Sequence, residues 1–347
     1  MRTFHGTLGV LGGKSGRRRI ALMVAAALVF ANATPALAYL KFGVQVGTRQ
    51  ISVKWARTPV RYFVNDRSVP GVTSGDLQAA ADRAFLTWQA VPTSSITYQF
   101  VGMTAALPGE EDGQTTLGFL ARPDLSRVLA STNILLDDAT GEILEADIFF
   151  NSVFRWSVAP SGQPNSYDLE TIALHEIGHL SGLGHSALGE TEIVPDGGRR
   201  VIASEAIMFP IAFAAGNVSA RTLRADDIAG ISDLYPDGTF SETGSVSGQV
   251  TRNGQGVFGA HIVAFDPADG SLVGNFSLDD RGRFSIAGLS PGPHIIRLEP
   301  LDDADVTSFF SASTTVDLDF RVSFFDRLVV VPRGGDSGAI ALQVVGK

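Results

Sequence analysis

The sequence predicts an α+β region with one mixed sheet, followed by an all-β region, and three observations carry that prediction. Up to residue 235, strand-like runs alternate with two apolar-striped helical stretches and close on a third. From Ser245 the chain becomes a series of short apolar runs punctuated by glycine and proline, the texture of a small β-sandwich. Between the two lies Pro236-Asp237-Gly238, which ends a helix, and a polar linker over 239–244.

At the start of the chain, residues 1–38 read as a secretory signal: Arg17-Arg18-Arg19 is the basic part, Ile20 to Phe30 a short apolar run, and Ala36-Leu37-Ala38 an A-x-A cleavage site. An apolar run this short cannot cross about 30 Å of hydrocarbon, so no membrane anchor is expected once the signal is cleaved after Ala38. The expected location is therefore outside the cytoplasm, secreted or periplasmic. Residues 1–38 carry five basic groups and no acidic one, so their removal takes the formal charge from −9 to −14. A surface that acidic excludes nucleic acid as an expected partner. With 44% hydrophobic and 18% charged residues the chain can bury large cores, and with no cysteine it has neither disulfides nor thiolate ligands.

Tyr39 to Val64 reads as opening strands, ending in Val60-Arg61-Tyr62-Phe63-Val64, and Pro70-Gly71 as a turn. A helix is expected with Ser74 as N-cap. Its apolar stripe is Leu77, Ala81, Ala84, Phe85 and Trp88 at helical spacing. Strands are expected over 95–101, 115–121, 128–136 and 143–151, the last two joined by the turn Asp138-Ala139-Thr140-Gly141. A second helix should begin at Asp168 as N-cap and bury Leu169, Ile172, Ala173, Ile177 and Leu180. Residues 186–205 lack periodicity and read as a surface loop. A last helix from Ala225 to Tyr235 has Asp226 and Asp227 in its first turn, where they favour the helix dipole. After Ser245, strands are expected at 246–251, 261–265, 274–278, 283–286 and 295–299, with a strand-rich tail over 305–347.

The second helix and the residues just past its end carry the chemistry. Three of the six histidines fall within eleven residues, in His175-Glu176-Ile177-Gly178-His179-Leu180-Ser181-Gly182-Leu183-Gly184-His185. His175 and His179 are four apart, on one face of a helix, where two imidazoles can reach one ion. Glu176 is offset from that face, close enough to take a proton from water activated by the ion. Gly182 can turn left-handed, end the helix and let His185 come to the same ion from another direction. Three nitrogens and one open position describe a catalytic site; structural zinc usually has four protein ligands.

This string, continued by Ser186 and answered 23 positions after His185 by Ala206-Ile207-Met208-Phe209-Pro210, resembles the matrixin branch of the metzincins. Trp55 and the Arg61-Tyr62 strand are similar to the first sheet strand of that family, and residues 226–236 to its closing helix. The resemblance implies a metzincin-type catalytic domain over 39–238, with a twisted mixed sheet and an active-site helix. It implies a zinc endopeptidase: His175, His179 and His185 hold one catalytic Zn2+, Glu176 is the general base and then acid, and Met208 is an apolar floor. Pro210, Ile211 and Ala212, continuing into Phe213, would form part of the substrate pocket, and the strand near 128–136 would pair with an extended protein or peptide substrate. Pro210 stands where other metzincins have a tyrosine near the metal.

Ca2+ is a second candidate ion. Asp147 and Asn151 lie where some matrixins carry calcium ligands, with asparagine in place of an aspartate. The acidic run Glu110-Glu111-Asp112 reads first as a solvated loop and only second as a calcium site. The glycine positions in residues 247–250, the phrase at 280–294 and the run 259–265 resemble the carboxypeptidase-regulatory-like β-sandwich, which implies such a domain over 245–347. His261 and His294 fall there without a ligand pattern and read as ordinary histidines. Lack of cysteine excludes a cysteine switch, and residues 39–54 are too few for a pro-domain, so no built-in latency is expected. Residues 39–174 contain no histidine, so one zinc per chain is expected. The alternatives are a catalytically weak adhesion or matrix-binding protein using the C-terminal β domain, and a structural zinc module. Intact Glu176 argues against the first and the open fourth position against the second.

Overall fold

The computed structural model describes residues 41–47, 49–195 and 198–347, and the backbone of 19–24. The cleavage site at Ala36-Leu37-Ala38 lies outside the described residues, as do Asp196 and Gly197 of the turn expected at 196–198.

The first region is built on a six-stranded mixed sheet. Its strands are β1 (Arg19–Val24), β4 (Val60–Asn65), β5 (Tyr98–Thr104), β6 (Thr115–Leu120), β7 (Ala130–Asp137) and β8 (Ile143–Asn151), in the order β1-β7-β8-β6-β4-β5. Strands β5, β4, β6 and β8 run parallel, whereas β7 is antiparallel to β8 and β1 antiparallel to β7. Before this sheet, β2 (Gly43–Val46) and β3 (Arg49–Ser52) form a hairpin. Central β8 is buried at nearly every position because both its faces are covered, even though it includes Glu145, Asp147 and Asn151.

Helix α1 (Ser74–Gln89) and helix α2 (Leu169–Leu180) join the sheet in one apolar cluster. The N-cap of α1 is Thr73, one residue before the expected Ser74. Its hydroxyl accepts from Asp76 N, and Asp76 accepts back from Thr73 N, a reciprocal pair that Ser74 could not make with the same partner. The expected stripe of α1 is buried throughout, and the Trp88 indole N–H donates to the Leu174 carbonyl of α2 at 2.8 Å. That bond ties the two helices together at the turn before His175.

Residues 186–205 are not a loop: Gly189–Ile193 and Arg199–Ser204 pair as an antiparallel hairpin. One face is half-buried, but it holds Arg199 and Thr191 as well as Val201, so no apolar alternation marks a strand in the sequence. Helix α3 (Ala225–Leu234) closes this region, with Ile231 and Leu234 buried.

Beyond it the chain is all-β, apart from short 3-10 turns. Gly244–Arg252 is flanked by Arg283–Leu289, antiparallel, and Asp336–Gln343, parallel. His261–Phe265 is flanked by Leu272–Phe276 and Gly292–Glu299, both antiparallel. Inward side chains of both sheets, among them Val246, Ile262, Phe284 and Ile296, meet in one cluster. A third cluster mixes the two regions, joining Ala187 and Phe209 to Phe276, Leu301, Ala304, Phe309 and Phe310. Among the described residues, no helix is long and apolar enough to cross a membrane.

Candidate metal centre

Helix α2 starts where its cap chemistry dictates. The Asp168 carboxylate accepts from Thr171 N at 3.0 Å and is held by the Arg221 guanidinium. Leu169, Ala173, Ile177 and Leu180 are fully buried, the larger ones contributing about 1.5–3 kcal/mol each. That burial fixes the rotation of the helix, and with it the direction of His175 and His179. The helix stops in a Schellman turn: Gly182 N donates to the His179 carbonyl at 2.8 Å and Leu183 N to the Gly178 carbonyl at 3.0 Å. Gly182 has φ +99°, and a Cβ there would sit 2.3 Å from the Val53 carbonyl oxygen. The chain therefore reverses at Gly182 and carries His185 back over the helix.

His175, His179 and His185 each bring one ligand atom within 4.8 Å of the others, the one such group of three among the described residues. The Nε2 atoms of His179 and His185 are 3.2 Å apart. Two nitrogens at about 2.0–2.1 Å from one tetrahedral ion would be about 3.3 Å apart, so this pair has the spacing zinc requires. Each ring uses its other nitrogen on a backbone carbonyl: His175 Nδ1 on Ile207 at 2.7 Å, His179 Nδ1 on Leu183 at 2.8 Å, and His185 Nδ1 on Ser308 at 2.6 Å. These bonds put the proton on Nδ1 and leave Nε2 free to ligate. Burial lowers the pKa of all three rings; repulsion from His185 and His175 lowers that of His179 further, and repulsion from His175 lowers that of His185. They are therefore neutral, the form a metal needs.

Glu176 is buried beside them, with the Thr132 hydroxyl of β7 at 2.6 Å from its Oε2. Burial pushes its pKa up to about 7, against the lowering effect of the Thr132 bond. A carboxylate tuned to neutrality suits proton transfer in both directions. Met208 is buried beneath the helix, and Gly178 makes room for it: a Cβ there would lie 2.2 Å from the Met208 sulfur.

Sequence reasoning missed what holds the Met208 turn. Asp227 accepts from Ile207 N at 2.9 Å and Met208 N at 3.1 Å, and from Arg224 N at its own helix start. Asp227 therefore anchors a distant turn as well as complementing the dipole. Asp226 reaches the other way and accepts from Gly274 N of the all-β region at 2.8 Å. Both carboxyls are pushed up by burial, to about 6 for Asp226 and about 7 for Asp227. Only their being buried, which sequence does not display, distinguishes them from ordinary first-turn acids.

A cleft of about 220 Å³ opens beside the histidines. Pro210, Ile211 and Ala212 line it, as do Leu129, Ile172 and Phe213, and so do Asp305 and Ser308 from the all-β region. The edge of β7 is reached by an extended chain: β1 pairs with it antiparallel, from Arg19 opposite Asp137 to Val24 opposite Thr132.

The two calcium candidates are occupied differently. The Asp147 carboxylate accepts from Gly109 N at 2.5 Å and Thr116 N at 2.7 Å. The Asn151 amide bonds the main chain of Arg122, Leu125 and Val128. Both side chains spend their polar atoms on tying loops to the sheet. His261 and His294 are buried, the first against Glu299 and the second against the Gly292 carbonyl.

A helix carrying two imidazoles and a carboxylate, a third imidazole returned by a glycine break, and a methionine turn below form a group that could hold a metal ion. Residues 54–195 match the family Matrixin, and the implied ion is a catalytic zinc. Curated relatives agree. Stromelysin-1 of Mus musculus is 25% identical over 191 residues, covering 55% of this chain and 34% of its own length. Metalloendoproteinase 1-MMP of Arabidopsis thaliana is 29% identical over 195 residues, covering 52% of this chain and 44% of its own. Metalloendoproteinase 5-MMP, also of Arabidopsis thaliana, is 44% identical over 68 residues, covering 20% of this chain and 14% of its own. The chain thus spans less than half the length of each of these relatives.

Proposed function

We propose that this protein is a secreted, zinc-dependent endopeptidase acting on extracellular or periplasmic proteins. The observation that carries the reading is the convergence of three imidazoles beside the buried carboxyl of Glu176. In this reading a catalytic domain over 39–238 precedes a carboxypeptidase-regulatory-like β-sandwich over 245–347. His175, His179 and His185 hold the ion, and Met208 underlies them. Zinc there supplies a Lewis acid and makes water nucleophilic at neutral pH.

The rest of the chemistry belongs to the chain. An extended substrate lies along the edge of β7, and its backbone pairing is supported by the antiparallel lie of β1 on the same edge. Pro210, Ile211 and Ala212 form the wall that takes a side chain next to the scissile bond. Glu176 takes a proton from the attacking water and passes it to the leaving amine. Thr132 steadies its Oε2 meanwhile. Secretion is supported by the charge and apolar pattern of residues 1–38.

A peptide-library digest with and without a chelator tests the reading. Internal cleavage that stops on chelation and returns with zinc is the expected result. No cleavage by zinc-loaded protein, or cleavage indifferent to the chelator, would overturn it.

A further inference from the structure

Resting on that reading, we propose that the all-β region is a working part of the metal site, with Ser308 as a positioning residue for His185. Two of the three histidine Nδ1 atoms bond carbonyls close to the helix, those of Leu183 and Ile207. The third, on His185, bonds the carbonyl of Ser308, 123 positions away, at 2.6 Å. An acceptor on Nδ1 sets the tautomer and ring orientation and raises the basicity of Nε2. His185 is also the one ligand that no helix holds. Its direction is therefore the most dependent on what lies outside it.

The segment that delivers this carbonyl is built to hold still. Val306–Ser308 is a 3-10 turn, with Phe309 N and Phe310 N both donating to the Val306 carbonyl. Phe309 presents its ring edge-on to His185, with centroids 6.3 Å apart, and both phenylalanines pack on Phe276. Asp303 fastens the segment to the hairpin after His185: Thr191 N donates to its carboxylate at 2.9 Å and the Thr191 hydroxyl to its carbonyl at 2.7 Å. The Gly274 N–H on Asp226 fixes the neighbouring strand to helix α3. Asp305 and Ser308 also form part of the cleft lining. A detachable placement module would need none of these bonds at the metal.

The test measures zinc rather than turnover. The full chain carrying Thr191→Val and Asp303→Ala loses the two bonds that fasten the segment, with little change in core volume. Its zinc dissociation constant, by competition with a chromophoric chelator, should rise about 10–100-fold. Its cobalt-substituted visible spectrum should shift, and kcat should fall more than KM changes. Asp336→Ala, which removes the Ser245 and Ser247 hydrogen bonds elsewhere in the same region, should leave all three as in the parent. A second measurement needs no variant. In zinc-loaded, 15N-histidine-labelled parent, the His185 Nδ1–H should exchange slowly with water.

Parent-like zinc affinity and cobalt spectrum in the double variant would refute the positioning role, as would a fast-exchanging His185 ring proton. Parent protein that binds no zinc sinks the peptidase reading and this inference with it. Parent that binds zinc and cleaves peptides while the double variant matches it sinks this inference alone.

Discussion

Glu176 shows how one residue's position decides its chemistry. It stands one place after His175, so it sits off the face that His175 and His179 share yet beside it. Burial then raises its pKa to about 7. Replacement by glutamine keeps the shape and the Thr132 contact but removes the proton carrier. Glu176→Gln should lower kcat/KM about 10²–10⁴-fold with zinc content and melting temperature unchanged. Hydrolysis at the parent rate would contradict the assigned role. Asp227 is the second residue whose place matters more than its type. Its carboxylate satisfies two buried N–H groups of the methionine turn. Asp227→Ala leaves both without an acceptor and should cost about 1–3 kcal/mol, read from the denaturant midpoint. An unchanged midpoint would mean that the turn is held by something else.

The critical feature at the next scale is the end of helix α2. Its two Schellman hydrogen bonds form only because Gly182 is left-handed at φ +99°, where the Val53 carbonyl leaves no room for a Cβ. Gly182→Ala therefore combines a left-handed strain of about 1–2 kcal/mol with a steric displacement at the point where the chain turns toward His185. Both stability and zinc affinity should drop, measured by urea unfolding of the zinc-loaded protein and by chelator competition. A variant with parent values in both would show that the reversal does not depend on glycine. The hairpin Gly189–Ile193/Arg199–Ser204 matters at this scale too, because it anchors the segment carrying Ser308.

Across the whole molecule, acids buried within the fold make its stability sensitive to pH. Asp147 ties the loop at Gly109 to the sheet and also bonds Thr116 N of β6, and burial pushes its pKa up to about 7 despite those bonds. Unfolded, it would titrate near about 3.9. The folded state then binds this proton more tightly. Its stabilising contribution is complete below about pH 4 and is lost as pH rises through about 7. Asp147→Asn has no such proton. The melting temperature of the parent minus that of the variant should fall as pH rises from about 4 to about 7, then level off. A difference that is flat, or that grows with pH, would reverse the assignment.

Much of this molecule is written in local sequence. The α+β then all-β order, the N-cap at Asp168, the glycine break and the histidine spacing are set by interactions over a few residues. The clustering of His175, His179 and His185 could be read from residue types and counting, because a helix repeats at fixed geometry. Other features depend on partners that are far apart in the chain. The Thr73 cap is not among them, since Asp76 three residues on marks a capping box that Ser74 cannot form. The hairpin after His185 carries no apolar alternation to betray it, since its half-buried face holds Arg199 and Thr191 as well as Val201. Asp227 looks like any first-turn acid until the Met208 turn is laid against it. The Ser308 carbonyl has no sequence signature at all, because every residue has a carbonyl and only the packing of the all-β region brings this one to His185. The sequence by itself determined which three histidines come together and the helix that carries two of them. Tertiary structure alone decided what holds them in place, because backbone acceptors and buried carboxylates acquire a role only when folding chooses their neighbours.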